Sequence, residues 1–240
     1  MPLSAGFLRA PPSPYDAAMT NRKIGILGTG DVGRALGAGF IDVLGDRVTI
    51  GARDPRDPQT LEKMGTWLAK HRERGELGAF AAAVENADIV VLATLWTGTQ
   101  SAIDMAGGAK AFAGKVVIDV TNPLHFTGHG PELALAHTDS GGEQVQRWLP
   151  GAKVVKAFNM IGNAHMVKPH FEQGAPTMFH CGDDEAAKQT VREIIEAFGH
   201  EAIDVGGMDA ARLLEPLCIL WVRHGLRTKS WNHAFKLLTK

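Results

Sequence analysis

Cysteine is nearly missing from this sequence: 240 residues hold only Cys181 and Cys218. Two thiols make no disulfide framework and have no metal-ligand spacing, so a reducing, cytoplasmic setting is expected. An excess of charge is missing as well. With 25 Lys and Arg against 26 Asp and Glu, the formal net charge is -1, which leaves no electrostatic case for DNA or RNA; no nucleic-acid partner is expected. Long hydrophobic runs are absent too, the apolar clusters being strand-sized or broken by charge, so no membrane span is expected. Residues 1–21 lack any periodic apolar face. They carry Pro11-Pro12-Ser13-Pro14 and one cation, Arg9, and read as a flexible extension without the apolar core of a signal peptide or the charge of an organelle-targeting segment. Met19 is an alternative start.

Glycine, in contrast, is placed with purpose. Gly28-Thr29-Gly30-Asp31-Val32-Gly33 directly follows the apolar run Lys23-Ile24-Gly25-Ile26-Leu27, the order of a strand, a turn and a helix start. The pattern alone is weak, and its flanks strengthen it. Gly28 permits the tight turn, Gly30 lets a pyrophosphate approach the backbone, and Gly33 lets the helix pack on its strand. The phosphates of a dinucleotide then meet the free N–H groups at the positive end of that helix. Helical periodicity follows over residues 32–44, with Val32, Leu36, Phe40, Val43 and Leu44 on one side, and a second strand over residues 48–51. Where an NAD site places an acid for the ribose hydroxyls, this chain has Gly51-Ala52-Arg53-Asp54. A guanidinium pairs with a 2′-phosphate and stacks on adenine, so NADP is expected over NAD. Asp54 precedes Pro55 and is expected to cap or turn the chain.

Downstream, strand-like runs at residues 87–94, 115–120, 153–158, 176–181 and 201–205 alternate with helical stretches at 59–74, 98–112, 143–149 and 185–198. Asp183 and Asp184 are placed to cap the last of these and Gly199 to stop it. This alternation implies an α/β fold: a Rossmann-type doubly wound, mostly parallel sheet with a small C-terminal α/β and helical extension. Ligands of such sheets bind beyond the carboxyl ends of the strands. There lie Thr94-Leu95-Trp96, Thr121-Asn122-Pro123-Leu124 and Ala157-Phe158-Asn159-Met160, small polar groups with an apolar wall, as a nicotinamide requires. His125, His129 and His137 invite a metal, but the Gly and Pro around them predict a loop without an i,i+4 face, and no metal site is expected. In residues 210–226, Leu213, Leu214, Leu217, Leu220, Trp221 and His224 are expected on one side of a helix, more than one core needs, which favours pairing with a second subunit. Arg223, Arg227 and Lys229 then sit at its solvated end.

Over residues 23–240 the chain resembles the NADPH-dependent F420 reductases, the F420-dependent NADP oxidoreductase family. The resemblance is carried by the glycine turn, Val154-Val155-Lys156-Ala157-Phe158-Asn159, Cys181-Gly182-Asp183-Asp184, Ala211-Arg212-Leu213-Leu214-Glu215-Pro216-Leu217 and Ala234-Phe235-Lys236-Leu237-Leu238. The Lys-Ala-Phe-Asn and Leu-Leu-Glu-Pro-Leu segments are also similar to the soluble reductase domain of membrane metalloreductases. The resemblance implies an NADP(H)-dependent oxidoreductase, with coenzyme F420 or a flavin as the small-molecule electron acceptor, acting as a homodimer. It divides the chain into an extension (1–21), an NADP-binding Rossmann domain (22–160) and a small C-terminal domain (161–240). It puts pyrophosphate at Thr29, Gly30, Asp31 and Val32, the 2′-phosphate at Arg53, the ribose at Thr94, Leu95 and Trp96, and the nicotinamide at Ala157 and Asn159. Position 159 departs from the deazaflavin enzymes, which have histidine there; the metalloreductase-like branch has asparagine. Direct hydride transfer between stacked rings rests on proximity, so no catalytic acid, base or nucleophile is expected.

Overall fold

The computed structural model describes residues 21–128 and 130–240; the expectations for residues 1–20 and for His129 lie outside them. Strand β1 (Lys23–Leu27) is buried at every residue after the first and β4 (Ile89–Leu92) throughout. Such unbroken apolar runs are strands covered on both faces, which places them at the sheet's centre. Around them run β2 (Arg47–Ala52), β3 (Gly75–Ala79), β5 (Val116–Asp119), β8 (Lys153–Lys156), β9 (Thr177–Gly182) and β10 (Glu201–Asp204). The spatial order is β10-β9-β8-β5-β4-β1-β2-β3. All neighbours are parallel except β8 and β9, where Val155 faces Gly182 and Lys156 faces Cys181. The C-terminal strands therefore extend the same sheet. Because β1 sits between β4 and β2, the order in which strands join the sheet reverses there, which opens the crevice of doubly wound folds at the carboxyl ends of β1 and β4.

Helices cover the sheet: α1 (Asp31–Asp42), α2 (Pro58–His71), α3 (Phe80–Glu85), α4 (Trp96–Met105), α5 (Ala109–Phe112), α6 (Gly141–Trp148), α7 (Glu185–Ala197) and α8 (Ala211–Thr228). Their ends follow the capping rules. Asp184 accepts from the Ala187 N–H at 2.8 Å at the start of α7, and Gly199 ends that helix with φ +94°. Asp183 takes another partner, the Met208 N–H at 2.8 Å. Phe40 of α1 meets Phe198 at 5.3 Å, edge-on, and Phe198 meets Phe158 at 5.9 Å, so one aromatic seam joins the first helix to the far side of the sheet.

Three local expectations are corrected, and two elements are added. The single helix over residues 98–112 is two, because Gly107 and Gly108 take φ +107° and +65° and break α4 from α5. The loop around His125 is an antiparallel hairpin, β6 (Leu124–Thr127) and β7 (Gly130–Leu133), with His125 opposite Glu132; its glycines serve the turn, leaving strands on either side. β3 and α3 carried no signal: Gly-Glu-Leu-Gly-Ala has low strand propensity and becomes a strand by pairing along β2. Finally, the six positions on α8 share one arc of the helix, but this chain buries only one edge of it. Successive residues are 100° apart on a helix; Leu214 and Trp221 are buried, whereas Leu213 and Leu220 are 68% and 56% exposed.

Candidate active site

The glycine turn joins β1 to α1 as its three glycines require. Gly28 has φ +129°, and a Cβ there would stand 2.4 Å from the Ala93 carbonyl oxygen; a Cβ on Gly33 would stand 2.1 Å from that of Gly28. Gly30 is different. A Cβ on it meets nothing within 4 Å, so its small size leaves space for a ligand, and it caps α1 with no side-chain hydrogen bond. The Gly28 N–H donates to the Gly51 carbonyl at 3.1 Å, which brings the end of β2 beside the turn. Two residues on, Arg53 is exposed, and among the described residues it has no ion-pair partner. Asp54 turns the chain, accepting from the Arg56 N–H at 2.9 Å.

Asp31 puts a carboxylate in the first turn of α1, where the sequence leads one to expect a pyrophosphate, and Arg34 compensates it. The guanidinium is ion-paired with Asp31 and donates to the Thr29 carbonyl at 2.7 Å. Replacing Asp31 with asparagine is expected to tighten NADPH binding by about threefold at low salt and less at high salt, as for a screened surface charge. A titration showing weaker binding would mean that the pair is needed to shape the turn.

Three further loops lie at the carboxyl ends of β4, β5 and β8. Thr94 donates its hydroxyl to Thr99 at 2.8 Å, since the Thr99 proton is committed to the Leu95 carbonyl at 3.2 Å. Leu95 is 84% exposed, while Trp96 stacks on Trp148 at 5.3 Å. A Cβ added to Gly141 would touch Glu215, Pro123 and Trp96 within 3.2 Å, so the loops after β4 and β5 and the starts of α6 and α8 converge on one spot. Asn122 and Asn159 clamp each other: the Asn122 amide donates to the Asn159 carbonyl at 2.8 Å, and the Asn159 amide donates to Asn122 Oδ1 and the Leu214 carbonyl, both at 3.0 Å. Two carbonyl acceptors fix which way the Asn159 amide faces. Its Oδ1 is left buried with no partner, the acceptor a ligand N–H would satisfy. Ala157 is fully buried beside it, and Phe158 between them is held at φ +59°, an uncommon conformation for a bulky residue.

Sequence reasoning missed what lies beneath. Lys156, Asp119 and Glu215 are buried together, with the Lys156 ammonium 2.9 Å from Asp119 and 2.7 Å from Glu215. It also donates to the Thr121 carbonyl at 2.7 Å. Glu215 accepts the Gly141 and Gly142 N–H groups, each at 2.9 Å, at the start of α6. Burial alone would pull Lys156 down, but Asp119 and Glu215 push it above the ordinary lysine range. The available signal was a lysine ending an apolar strand and a glutamate inside an apolar helix, each of which must find a counter-charge.

Neither cysteine competes with this arrangement. Burial pushes Cys181 up to about 12 and Cys218 to about 11, so neither is a reactive thiolate. Among the described residues no cluster of His, Cys, Asp and Glu could hold a metal, and no helix is long and apolar enough to cross a membrane. Two surface hollows of about 610 and 440 Å³ lie elsewhere, around Lys153 and Asp184 and around Asp42 and His71; neither contains a crevice residue.

Arg212 pairs with Glu143, whose carboxylate also accepts the Ser140 hydroxyl at 2.8 Å, so α8 is tied to α6 a second time. That guanidinium, with the Ser140 hydroxyl, holds Glu143 below the ordinary glutamate range. A depressed folded value means a contribution present above the unfolded value of about 4.3 and lost as pH falls through the folded one. Glu143→Gln is therefore expected to flatten the acid limb of the stability profile below about pH 5. Unfolding midpoints from pH 7 to 3 check this; parallel profiles would mean that the pair contributes nothing.

The model of the family described as NADP oxidoreductase, coenzyme F420-dependent, matches residues 23–123. A solved structure from Arthrobacter sp. FB24, assigned to the F420-dependent NADP reductases, is 39% identical, superposes with a TM-score of 0.85, and covers 91% of this chain and 100% of its own. The chain belongs to the F420-dependent NADP oxidoreductase family. The F420-dependent NADP reductase of Methanocaldococcus jannaschii is 29% identical over 223 residues, spanning 90% of this chain and 97% of that protein. Metalloreductase STEAP3 of Rattus norvegicus is also 29% identical, over 195 residues, but this family member spans only 36% of its length.

Proposed function

We propose that the chain is an NADP(H)-dependent oxidoreductase that passes hydride between NADPH and coenzyme F420 or a related flavin. The observation that carries this reading is Asn159, a buried side chain in the loop after β8 whose amide nitrogen is spent on protein carbonyls and whose oxygen awaits a donor. A nicotinamide carboxamide carries that donor. Bound NADPH supplies the hydride from its nicotinamide ring; what the chain supplies is placement. Gly28 to Gly33 take the pyrophosphate, Arg53 the 2′-phosphate, Thr94, Leu95 and Trp96 the ribose side, and Asn122, Pro123, Ala157 and Asn159 the nicotinamide end. Residues 22–160 form the cofactor unit, and 161–240 supply the acceptor wall and the contact with a second copy. Support for a homodimer comes from α8, where exposed Leu213 and Leu220 flank half-buried Leu217 at helical spacing. The balanced charge and two buried thiols suit the cytoplasm.

A second reading, a flavin or ferric reductase, is favoured by the same residue, since asparagine stands where the resemblance to deazaflavin enzymes puts histidine. NADPH oxidation with F420, FMN and a ferric chelate in separate assays distinguishes the two. Turnover with F420 is the expected result, and turnover only with flavin or iron supports the second reading. NADPH binding without oxidation by any acceptor would make the chain an NADP-sensing regulator instead.

A further inference from the structure

Lys156 offers three N–H donors, and all three are used: on Asp119 Oδ2 at 2.9 Å, the Thr121 carbonyl at 2.7 Å and Glu215 Oε1 at 2.7 Å. The carboxylates are equally committed. Asp119 Oδ1 accepts the Thr121 N–H and hydroxyl at 2.9 and 2.7 Å, and Glu215 takes the two glycine N–H groups of α6. Stability alone does not explain such a group, because a buried ion pair is commonly no better than apolar residues of the same volume. What the tripod does is fix directions. From the last residue of β8 it holds the loop after β5, the start of α6 and the first turns of α8. One residue from two of the three ties lies a site element: Asn122 after Thr121, and Leu214, whose carbonyl accepts from Asn159, before Glu215. Two residues after Lys156, Phe158 is held at φ +59°. Such a conformation persists only where the flanks over-determine it, here the ammonium on one side and the Asn159 clamp on the other.

We propose that Lys156 is a positioning residue for the nicotinamide end of the crevice, acting through Thr121, Glu215 and the Asn122–Asn159 clamp without touching either substrate. The inference rests on the reading that NADPH lies with its nicotinamide against Asn159.

The test compares two ligands by equilibrium binding, NADPH and 2′,5′-ADP, which carries the adenine end alone. In Lys156→Met, NADPH affinity is expected to fall about tenfold, the scale of one hydrogen bond to the nicotinamide end lost from its place, while 2′,5′-ADP affinity stays within about twofold. The neutral triple variant Lys156→Met, Asp119→Asn, Glu215→Gln leaves no charge uncompensated, is expected to recover thermal stability, and should show the same selective loss. It decides the matter if Lys156→Met alone does not fold. Unchanged NADPH affinity, or equal loss of both ligands, would overturn the proposal. If the wild-type protein binds NADPH no better than 2′,5′-ADP, the placement of the nicotinamide fails and the inference with it, a result separate from any variant.

Discussion

Glu215→Ala is expected to cost about 3–5 kcal/mol of stability, the scale for removing one partner of a buried ionic network. The loss has three parts. Lys156 is left with Asp119 and a carbonyl, the Gly141 and Gly142 N–H groups lose their acceptor, and a void opens where the buried carboxylate lay against Gly141. In a chain of this size that corresponds to roughly a 10 °C drop in Tm. Glu215→Gln keeps the shape and an acceptor, so it should lose less. Urea midpoints for the three proteins check the order, and a loss below about 1 kcal/mol for the alanine variant would show that the network is no more than a surface-like pair.

The largest functional effect is expected at Arg53. Hydrogen bonds to a charged group are worth about 1.5–3 kcal/mol, so Arg53→Ala should lower kcat/KM for NADPH about ten- to hundredfold while leaving NADH nearly unchanged. Arg53→Glu adds repulsion of the 2′-phosphate and an acceptor for the ribose hydroxyl that NADH presents there, and should invert the preference. The side chain is exposed, so stability should move little and the two effects separate cleanly. An NADPH to NADH ratio equal to that of the wild type would take Arg53 out of the site.

The two predictions probe opposite ends of the crevice. In the proposed reading, recognition at the adenine end falls to a free cation on the loop after β2, which the Gly28 to Gly51 backbone bond draws beside the glycine turn. At the other end it uses neutral amides held by a buried charge network. This division suits a hydride transfer: the distal phosphate supplies binding energy, while a neutral, tightly held floor supplies orientation and asks no proton of the protein.

Local chemistry was enough for the sequence to determine the glycine turn, the buried parallel strands, the Asp184 cap, the Gly199 stop and the loops at the carboxyl ends of the strands. Each is written within a few neighbouring residues, as a backbone conformation only glycine tolerates, an apolar run or a side chain reaching its own helix end. Tertiary structure alone decided the rest. Gly75 to Ala79 is a strand because β2 offers it an edge, and Leu213 and Leu214 differ because the rest of the chain covers only one edge of α8. Lys156, Asp119 and Glu215 lie up to 96 residues apart in the chain; no window of sequence shows that one ammonium joins them. A buried charge is tolerated only where the fold brings its partners, so its role became legible with the fold.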